Sequence, residues 1–236
     1  MGYSGPFNGH HQLLILPGYK FETLSVLPKP WANCSRTEIE SRETEIVNNH
    51  AQYISIVRTG IGSTTLVLAG EVDAILGAKP SSSDTSSPIP WIELKTSAEP
   101  QSSHPREALK FERKLLRFWA QSFLLGVPKI MVGFRTPDGL LTRIEELDVQ
   151  RLPGVVKRGA GSWDGIVCIN FAAAFLGFVQ KVVVGEGVWR IRRRRGEWGI
   201  EVFRVEEEGT GGVLGEGFKA WREKLRLAEI GAALGK

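Results

Sequence analysis

The chain has 236 residues, 42% hydrophobic and 24% charged, which leaves room for a sizeable core and excludes wholesale disorder. Lysine and arginine total 30 against 26 acids, a net charge of +4, no more than a weak pull toward polyanions. Cys34 and Cys168 form no CxxC pair, so neither a zinc site nor a disulfide framework is indicated, and a reducing compartment is expected. No apolar run approaches the about 20 residues of a membrane span, the block Leu13 to Leu16 is too short for a signal peptide, and no membrane partner is expected.

Residues 1–236 read as one domain with an atypical tail over 1–17. A first strand is expected around Tyr53 to Arg58 and a second over Thr64 to Leu76, separated by the turn Gly60-Ile61-Gly62. The stretch 77–90 contains the small polar run Ser81 to Ser87 between Pro80 and Pro90. It reads as a mobile loop within the domain, because strand-like segments flank it. Trp91 to Thr96 is a short strand, and Pro105 to Leu125 a helix stopped by Gly126 and Pro128. The apolar run Lys129 to Phe134 fits a buried strand, followed by a turn at Pro137-Asp138-Gly139. A helix is expected over Phe171 to Val184, two strands over Val188 to Arg194 and Trp198 to Val205 with a tight turn at Gly196, and a closing helix over Phe218 to Leu234. Interspersed strands and helices indicate a mixed α+β fold with a substantial sheet.

Chemistry concentrates at Glu71-Val72-Asp73. On a strand these two acids share a face, roughly 6.5–7 Å apart, with Leu66, Leu68, Val72 and Ala74 on the other. Glu93 and Lys95 share a face of the next strand in the same way, and the serine-rich loop lets the two strands become neighbours. Two carboxylates 4 Å apart repel by about 4 kcal/mol at an effective dielectric near 20. One lysine cannot neutralise three acids, whereas a divalent cation can, and oxygen ligands favour Mg²⁺ or Mn²⁺. Such a centre suits hydrolysis of a phosphodiester or pyrophosphate, with Lys95 beside the developing negative charge. The order Asp73…Glu93-x-Lys95 resembles the PD-(D/E)xK nuclease core. A solvated acidic face or a structural salt bridge carries the same letters.

Lys110, Lys114, Arg117 and Gln121 fall on one face of the predicted helix. They form either a solvated basic stripe or the wall of a groove that meets phosphate oxygens. The cluster at Arg190 and Arg192 to Arg195 reads mainly as the exposed face of a hairpin beside Glu206 to Glu208. His10, His11, His50 and His104 show no ligand spacing, and there is no Walker loop, GxSxG or βαβ glycine fingerprint.

The blocks Gly18-Tyr19-Lys20-Phe21-Glu22, Asn48 to Tyr53, Arg58 to Gly62, Gly70 to Asp73, Glu93 to Ser97, Trp119 to Leu124, Gly133-Phe134-Arg135 and Trp189 to Arg193, in that order, resemble the fungal branch of the decapping exoribonuclease (DXO) family. The resemblance runs from about Gly18 to Trp221. It implies two packed, mostly mixed or antiparallel sheets flanked by helices around a PD-(D/E)xK core. It also implies quality control of RNA 5′ ends: removal of incomplete or NAD caps, release of pyrophosphate from 5′-triphosphate RNA and, in some members, 5′→3′ degradation. Localisation would be the nucleus, with some in the cytoplasm, and a large nuclear 5′→3′ exoribonuclease would be a partner. Carried over, Glu22, Glu71, Asp73 and Glu93 with the Leu94 carbonyl would ligate Mg²⁺ or Mn²⁺, and Lys95 and Gln121 would sit at the scissile phosphate. Lys114 and Arg117 would add phosphate contacts. The residues alone do not single out Glu22, which reads as an ordinary strand or loop acid.

Family chains carry a long segment with a substrate-binding arginine before the Gly-Tyr-Lys-Phe-Glu block, where this chain has 17 residues. A truncated form with exposed sheet edges is therefore expected. Two other functions compete with an RNA 5′-end hydrolase: a non-catalytic or weakly active partner that stimulates a larger exoribonuclease, and a DNA nuclease built on the same centre.

Overall fold

The computed structural model describes residues 18–48, 50–81, 88–100, 105–209 and 211–234. The expected tail over 1–17 and the serine run at 82–87 lie outside the described residues. Contacts divide the chain into two compact units, Met1–Phe171 and Ala172–Lys236, a finer division than the single domain expected.

The first unit opens with helix α1 over residues 18–25 and a short helix α2 (Arg36–Glu40). In α2 the Glu38 N–H donates to the Ser35 hydroxyl and the Ser35 N–H to the Glu38 carboxylate, so two otherwise unpaired amides are satisfied reciprocally. Strands β1 (Ile54–Ile61) and β2 (Thr64–Glu71) form an antiparallel hairpin with Ile54 opposite Glu71. Its turn uses Gly62 at φ 59°, left-handed backbone that glycine adopts without strain.

Four strands make the principal sheet, in the order β3 (Ala74–Ile75), β4 (Trp91–Ala98), β5 (Lys129–Arg135), β6 (Leu141–Asp148). β4 and β5 are parallel and the other pairs antiparallel. Parallel neighbours need a crossover, supplied by helix α3 (Pro105–Leu125), which has the bounds expected from its sequence. Leu115, Phe118 and Trp119 of α3 pack on Ile130, Val132 and Phe134 of β5 and on Leu152 and Val156 of helix α4 (Leu152–Arg158). In register, Glu93 lies beside Ile130 and Lys95 beside Val132. The acid and the lysine of β4 therefore share the sheet face that carries α3.

Glu112 of α3 is buried. Its carboxylate accepts the Ala160 and Ser162 amides at 2.6 and 3.0 Å, and its carbonyl accepts Trp163 Nε1 at 2.8 Å. These bonds account for a charge in the core and fix the loop between α4 and helix α5 (Gly165–Val182).

Three expectations are corrected. The strand over Thr64 to Leu76 is broken: β2 ends at Glu71, the Val72 N–H donates to the Tyr53 carbonyl at 3.0 Å, and the chain joins the principal sheet only at Ala74. Val72, 2% exposed, anchors this crossing against Leu125 and Val127, so Glu71 and Asp73 do not share one strand face. The described strands also fall into three sheets, with α3 touching the β1–β2 hairpin as well as the principal sheet. Finally, α5 begins at Gly165 rather than Phe171 and has a mean hydropathy of 1.7 over 18 residues. Among the described residues it is the one helix long and apolar enough to cross a membrane by length and composition, because Asn170, Gln180 and Lys181 are too few to offset its aliphatic and aromatic residues.

The second unit contains an antiparallel hairpin, β7 (Val188–Arg192) and β8 (Glu201–Glu206), and helix α6 (Glu216–Leu234). Of the hairpin arginines, Arg192 and Arg194 pair with Glu201, and Arg194 also stands 3.8 Å from Glu197. Arg192 Nε is 2.6 Å from the Glu201 carboxylate and Arg194 is 3.5 Å from it.

Candidate active site

Glu22, Glu71, Asp73, Glu93, Lys95 and Gln121 line one cleft of about 290 Å³, with Gly18 and Tyr19 at its rim. Four segments deliver these side chains. Glu71 ends β2 and Asp73 stands on the crossing to β3, while Glu93 and Lys95 point from β4 and Gln121 from α3. Glu22 comes from α1, where the sequence suggested a strand or loop. The neighbouring Phe21 is buried, and its ring lies where a side chain on Gly133 of β5 would be. Gly133 thus lets α1 approach the sheet and carry Glu22 into the cleft.

Within the cleft Lys95 is the counter-charge. Its ammonium bonds the Glu93 carboxylate and stands 3.8 Å from Asp73. Asp73 also accepts the Leu94 N–H at 2.7 Å, which ties the crossing segment to β4. Gln121 Nε2 donates to Glu93 Oε1 at 2.8 Å, and Gln52, which the sequence reading missed, donates to Glu71 at 3.3 Å. The second Glu93 oxygen is buried and has no hydrogen-bond partner.

The electrostatics follow from crowding. Burial, then Asp73, Glu71 and Glu93, push the Glu22 carboxyl up to about 7 against the pull of Lys95. Burial also raises Glu93, with Asp73 and Glu71 adding to it and Lys95 opposing. For Lys95, burial works against the ammonium, but Glu93, Asp73 and Glu22 outweigh it and hold the group above the ordinary lysine value.

Among the described residues, no three His, Cys, Asp or Glu side chains stand close enough to hold an ion as they are placed; Lys95 lies between the acids. The donor set nevertheless fits a hard cation. Four carboxylates face one ammonium, and a buried carboxylate oxygen without a partner is costly unless a cation or a donor reaches it. Oxygen-only ligands of this kind suit Mg²⁺, Mn²⁺ or Ca²⁺.

Of the other expected residues, Leu94 has its side chain buried away from the cleft, and its N–H serves Asp73. Lys114 and Arg117 are not in the cleft. They line a second groove along α3 with Arg106, Lys110 and Arg113. Lys114 donates to the Thr96 carbonyl at 2.8 Å and lies 5.5 Å from the centre of the Phe118 ring. At about 1.5 Å per residue it is displaced roughly 10 Å along the helix axis from Gln121.

Residues 6–219 match the family described as RAI1-like PD-(D/E)XK nuclease. The chain is 54% identical over 218 residues to the decapping nuclease RAI1 of Emericella nidulans, covering 92% of this chain and 60% of that one. It is 52% identical over 227 residues to the Neurospora crassa decapping nuclease RAI1, covering 95% and 54%. The crystal structure of Candida albicans Rai1 in complex with pU5 and Mn²⁺ superposes with a TM-score of 0.78 at 28% identity, over 94% of this chain and 60% of that one. Scheffersomyces stipitis Rai1 gives the same TM-score at 29% identity. The chain thus spans less than two thirds of the length of these relatives. With a match running over most of its residues, the chain belongs to the RAI1-like PD-(D/E)XK nuclease family.

Proposed function

We propose that this chain carries the catalytic centre of a divalent-cation-dependent hydrolase acting on RNA 5′ ends: incomplete or NAD caps, and 5′-triphosphates. One observation carries the reading, the convergence of Glu22, Glu71, Asp73 and Glu93 on Lys95 and Gln121, with a buried Glu93 oxygen left unpartnered. The family supports it, because relatives named decapping nuclease are 54% and 52% identical to this chain over the residues they match and one structure of the family contains pU5 and Mn²⁺. A second contains 3′-NADP and calcium.

Glu22, Glu71, Asp73 and Glu93, with the Leu94 carbonyl, would hold Mg²⁺ or Mn²⁺, which supplies charge neutralisation at the phosphate and acidifies attacking water. The protein's own groups do the rest. The Leu94 amide holds Asp73 in place, and Gln121 fixes Glu93 while leaving one of its oxygens open. Lys95, whose ammonium stands against Glu93 and Asp73, would supply positive charge to the scissile phosphate as negative charge develops on it. Lys110, Lys114 and Arg117 extend the positive surface along α3 for phosphates further down the strand. A nuclear location and a nuclear 5′→3′ exoribonuclease as partner complete the proposal, supported by the family resemblance.

The test is product release from 5′-triphosphate and unmethylated-cap RNA with Mn²⁺ or Mg²⁺, for the parent, Glu71→Ala and Asp73→Ala. Activity in the parent that falls at least 100-fold in both variants is expected. Equal turnover in parent and variants removes the hydrolase reading, and preferential cleavage of duplex DNA replaces RNA with DNA as substrate.

A further inference from the structure

The end of α3 remote from the acid cleft carries a buried charge. Arg135, the last residue of β5, is 9% exposed. Its one hydrogen bond among the described residues runs from Nη1 to the Thr136 carbonyl at 3.4 Å, and its Nε is buried without a partner. A guanidinium in that state is costly unless an anion reaches it. The two acids nearby are engaged elsewhere. Glu99 takes the Thr142 hydroxyl at 3.0 Å and Arg143 Nε at 2.9 Å, and Glu107 faces Lys110 at 3.8 Å. Arg135 lines an open cavity of about 1040 Å³ with Pro105, Arg106 and Glu107 of α3, and with Thr136 and Thr142 beside the turn between β5 and β6.

The helix adds an independent feature. α3 begins at Pro105, and the amides of a first turn have no carbonyl partner within their helix and mark its positive end. Because Pro105, Arg106 and Glu107 stand at the cavity, a helix N-terminus and a guanidinium meet over one space, an arrangement suited to an oxyanion. A bulge helps to bring Arg135 there: Phe134 pairs with Arg143 but Arg135 with Leu141, a shift that re-aims the end of a strand. Positive charge accumulates at this end. After burial, Arg135 is the largest influence lowering the Lys114 ammonium, and Arg106 belongs both to this cavity and to the basic groove along α3. We infer that this cavity binds a phosphate group between Arg135, Arg106 and the first turn of α3. It is separate from the acid cleft, with which it shares no lining residue; Arg106 and Gln121 are roughly 22 Å apart along the helix axis. The phosphate is either a free ion or a backbone phosphate several nucleotides downstream of an RNA 5′ end. The chemistry that recognises it is the same for both and does not depend on the hydrolase reading.

Thermal melts in EDTA read the free ion. Sodium phosphate is compared with sodium chloride at equal ionic strength for the parent, Arg135→Met, Arg106→Ala and Arg117→Ala, the last outside this cavity. A rise in melting temperature specific to phosphate is expected in the parent and in Arg117→Ala. In the other two it should be lost or need at least 10-fold more phosphate. In chloride, Arg135→Met should melt at or above the parent, because it removes an unpaired buried charge. A melt several degrees lower would show that Arg135 is paired in the folded protein and would overturn the inference. Arg106→Ala, at an exposed position, reads the site without touching the core. Fluorescence anisotropy with a 5′-phosphorylated dinucleotide and octanucleotide in Ca²⁺ reads the other source. An affinity loss in Arg135→Met and Arg106→Ala confined to the octanucleotide assigns the site to the RNA backbone. Unchanged RNA binding beside a lost phosphate response assigns it to the free ion. The inference fails when phosphate acts no differently from chloride and both variants keep the parent's octanucleotide affinity. It fails also when dinucleotide affinity falls as far as octanucleotide affinity, which places the effect at the cleft.

Discussion

Gln121 and Glu93 are 28 residues apart in sequence and 2.8 Å apart in space, joined by one hydrogen bond from a helix amide to a strand carboxylate. The bond selects which Glu93 oxygen remains open. Removing it with Gln121→Leu leaves the same oxygen held by Lys95 and lets the carboxylate turn about that contact. A hydrogen bond to a charged group is worth about 1.5–3 kcal/mol, so Mg²⁺ affinity, read by titration calorimetry, is expected to fall about 10-fold or more. Since Gln121 is exposed, the melting temperature should stay within a few degrees. Unchanged affinity would show that Glu93 is held by its strand alone.

Lys95 both neutralises the acids and, in the proposed mechanism, serves the reaction. In the cation-free protein Lys95→Ala leaves Glu93, Asp73 and Glu22 without their counter-charge. Taking one partner from a buried pair costs about 3–5 kcal/mol, reduced here because the lysine side chain is 24% exposed. Thermal melts should therefore show a clear drop in EDTA that Mg²⁺ reverses more strongly than in the parent. Turnover should fall further than Mg²⁺ affinity. A loss of Mg²⁺ affinity matching that of Asp73→Ala contradicts the role given to Lys95.

How much of this was legible beforehand depends on the range of the interaction. The α3 bounds were readable because Leu115, Phe118 and Trp119 follow helical spacing and Gly126 with Pro128 stops the helix. The face shared by Glu93 and Lys95 followed from strand alternation. The break after Glu71 was hidden, because Val72 and Ala74 continue the apolar alternation that a single strand would show; only the contact of Val72 with Leu125 and Val127 sends the chain to another sheet. β6 went unread because it is almost wholly exposed, with arginine and glutamates where a pattern would show. Glu22 needed the family resemblance, since the ring-on-glycine contact that places it, Phe21 on Gly133, joins residues more than 100 positions apart.

That contact is itself testable. A Cβ at position 133 would lie 2.7 Å from the Phe21 ring and 2.9 Å from Leu141, closer than packed carbons approach. Gly133→Ala should push α1 off the sheet and withdraw Glu22 from the cleft, lowering Mg²⁺ affinity while Asp73 and Glu93 stay in place. Overpacking of this kind costs about 1–3 kcal/mol. Pairing it with Phe21→Leu, which makes room for the methyl, should restore part of both the stability and the affinity. Failure of the double variant to recover either would mean that α1 is positioned by other contacts.

Lys114 sets an expected pH dependence for RNA binding. Burial, then Arg135, Arg117 and Lys110, lower its ammonium to about 8, while the Thr96 carbonyl and the Phe118 ring are its favourable neighbours. The folded protein releases this proton more readily than the unfolded chain does. Its charged form therefore opposes folding below about pH 8, and the penalty is relieved as pH rises from there toward the ordinary lysine value. A phosphate in the α3 groove acts in the opposite sense, favouring the ammonium. Affinity for 5′-phosphorylated RNA, measured by anisotropy with Ca²⁺ in place of Mg²⁺, should consequently weaken as pH rises through about 8, with proton uptake on binding. Lys114→Arg keeps its charge throughout this range and should flatten that fall, and Lys114→Met should flatten it at weaker affinity. A pH profile identical in parent and Lys114→Arg would take Lys114 out of the RNA path and leave the basic stripe of α3 as solvated surface.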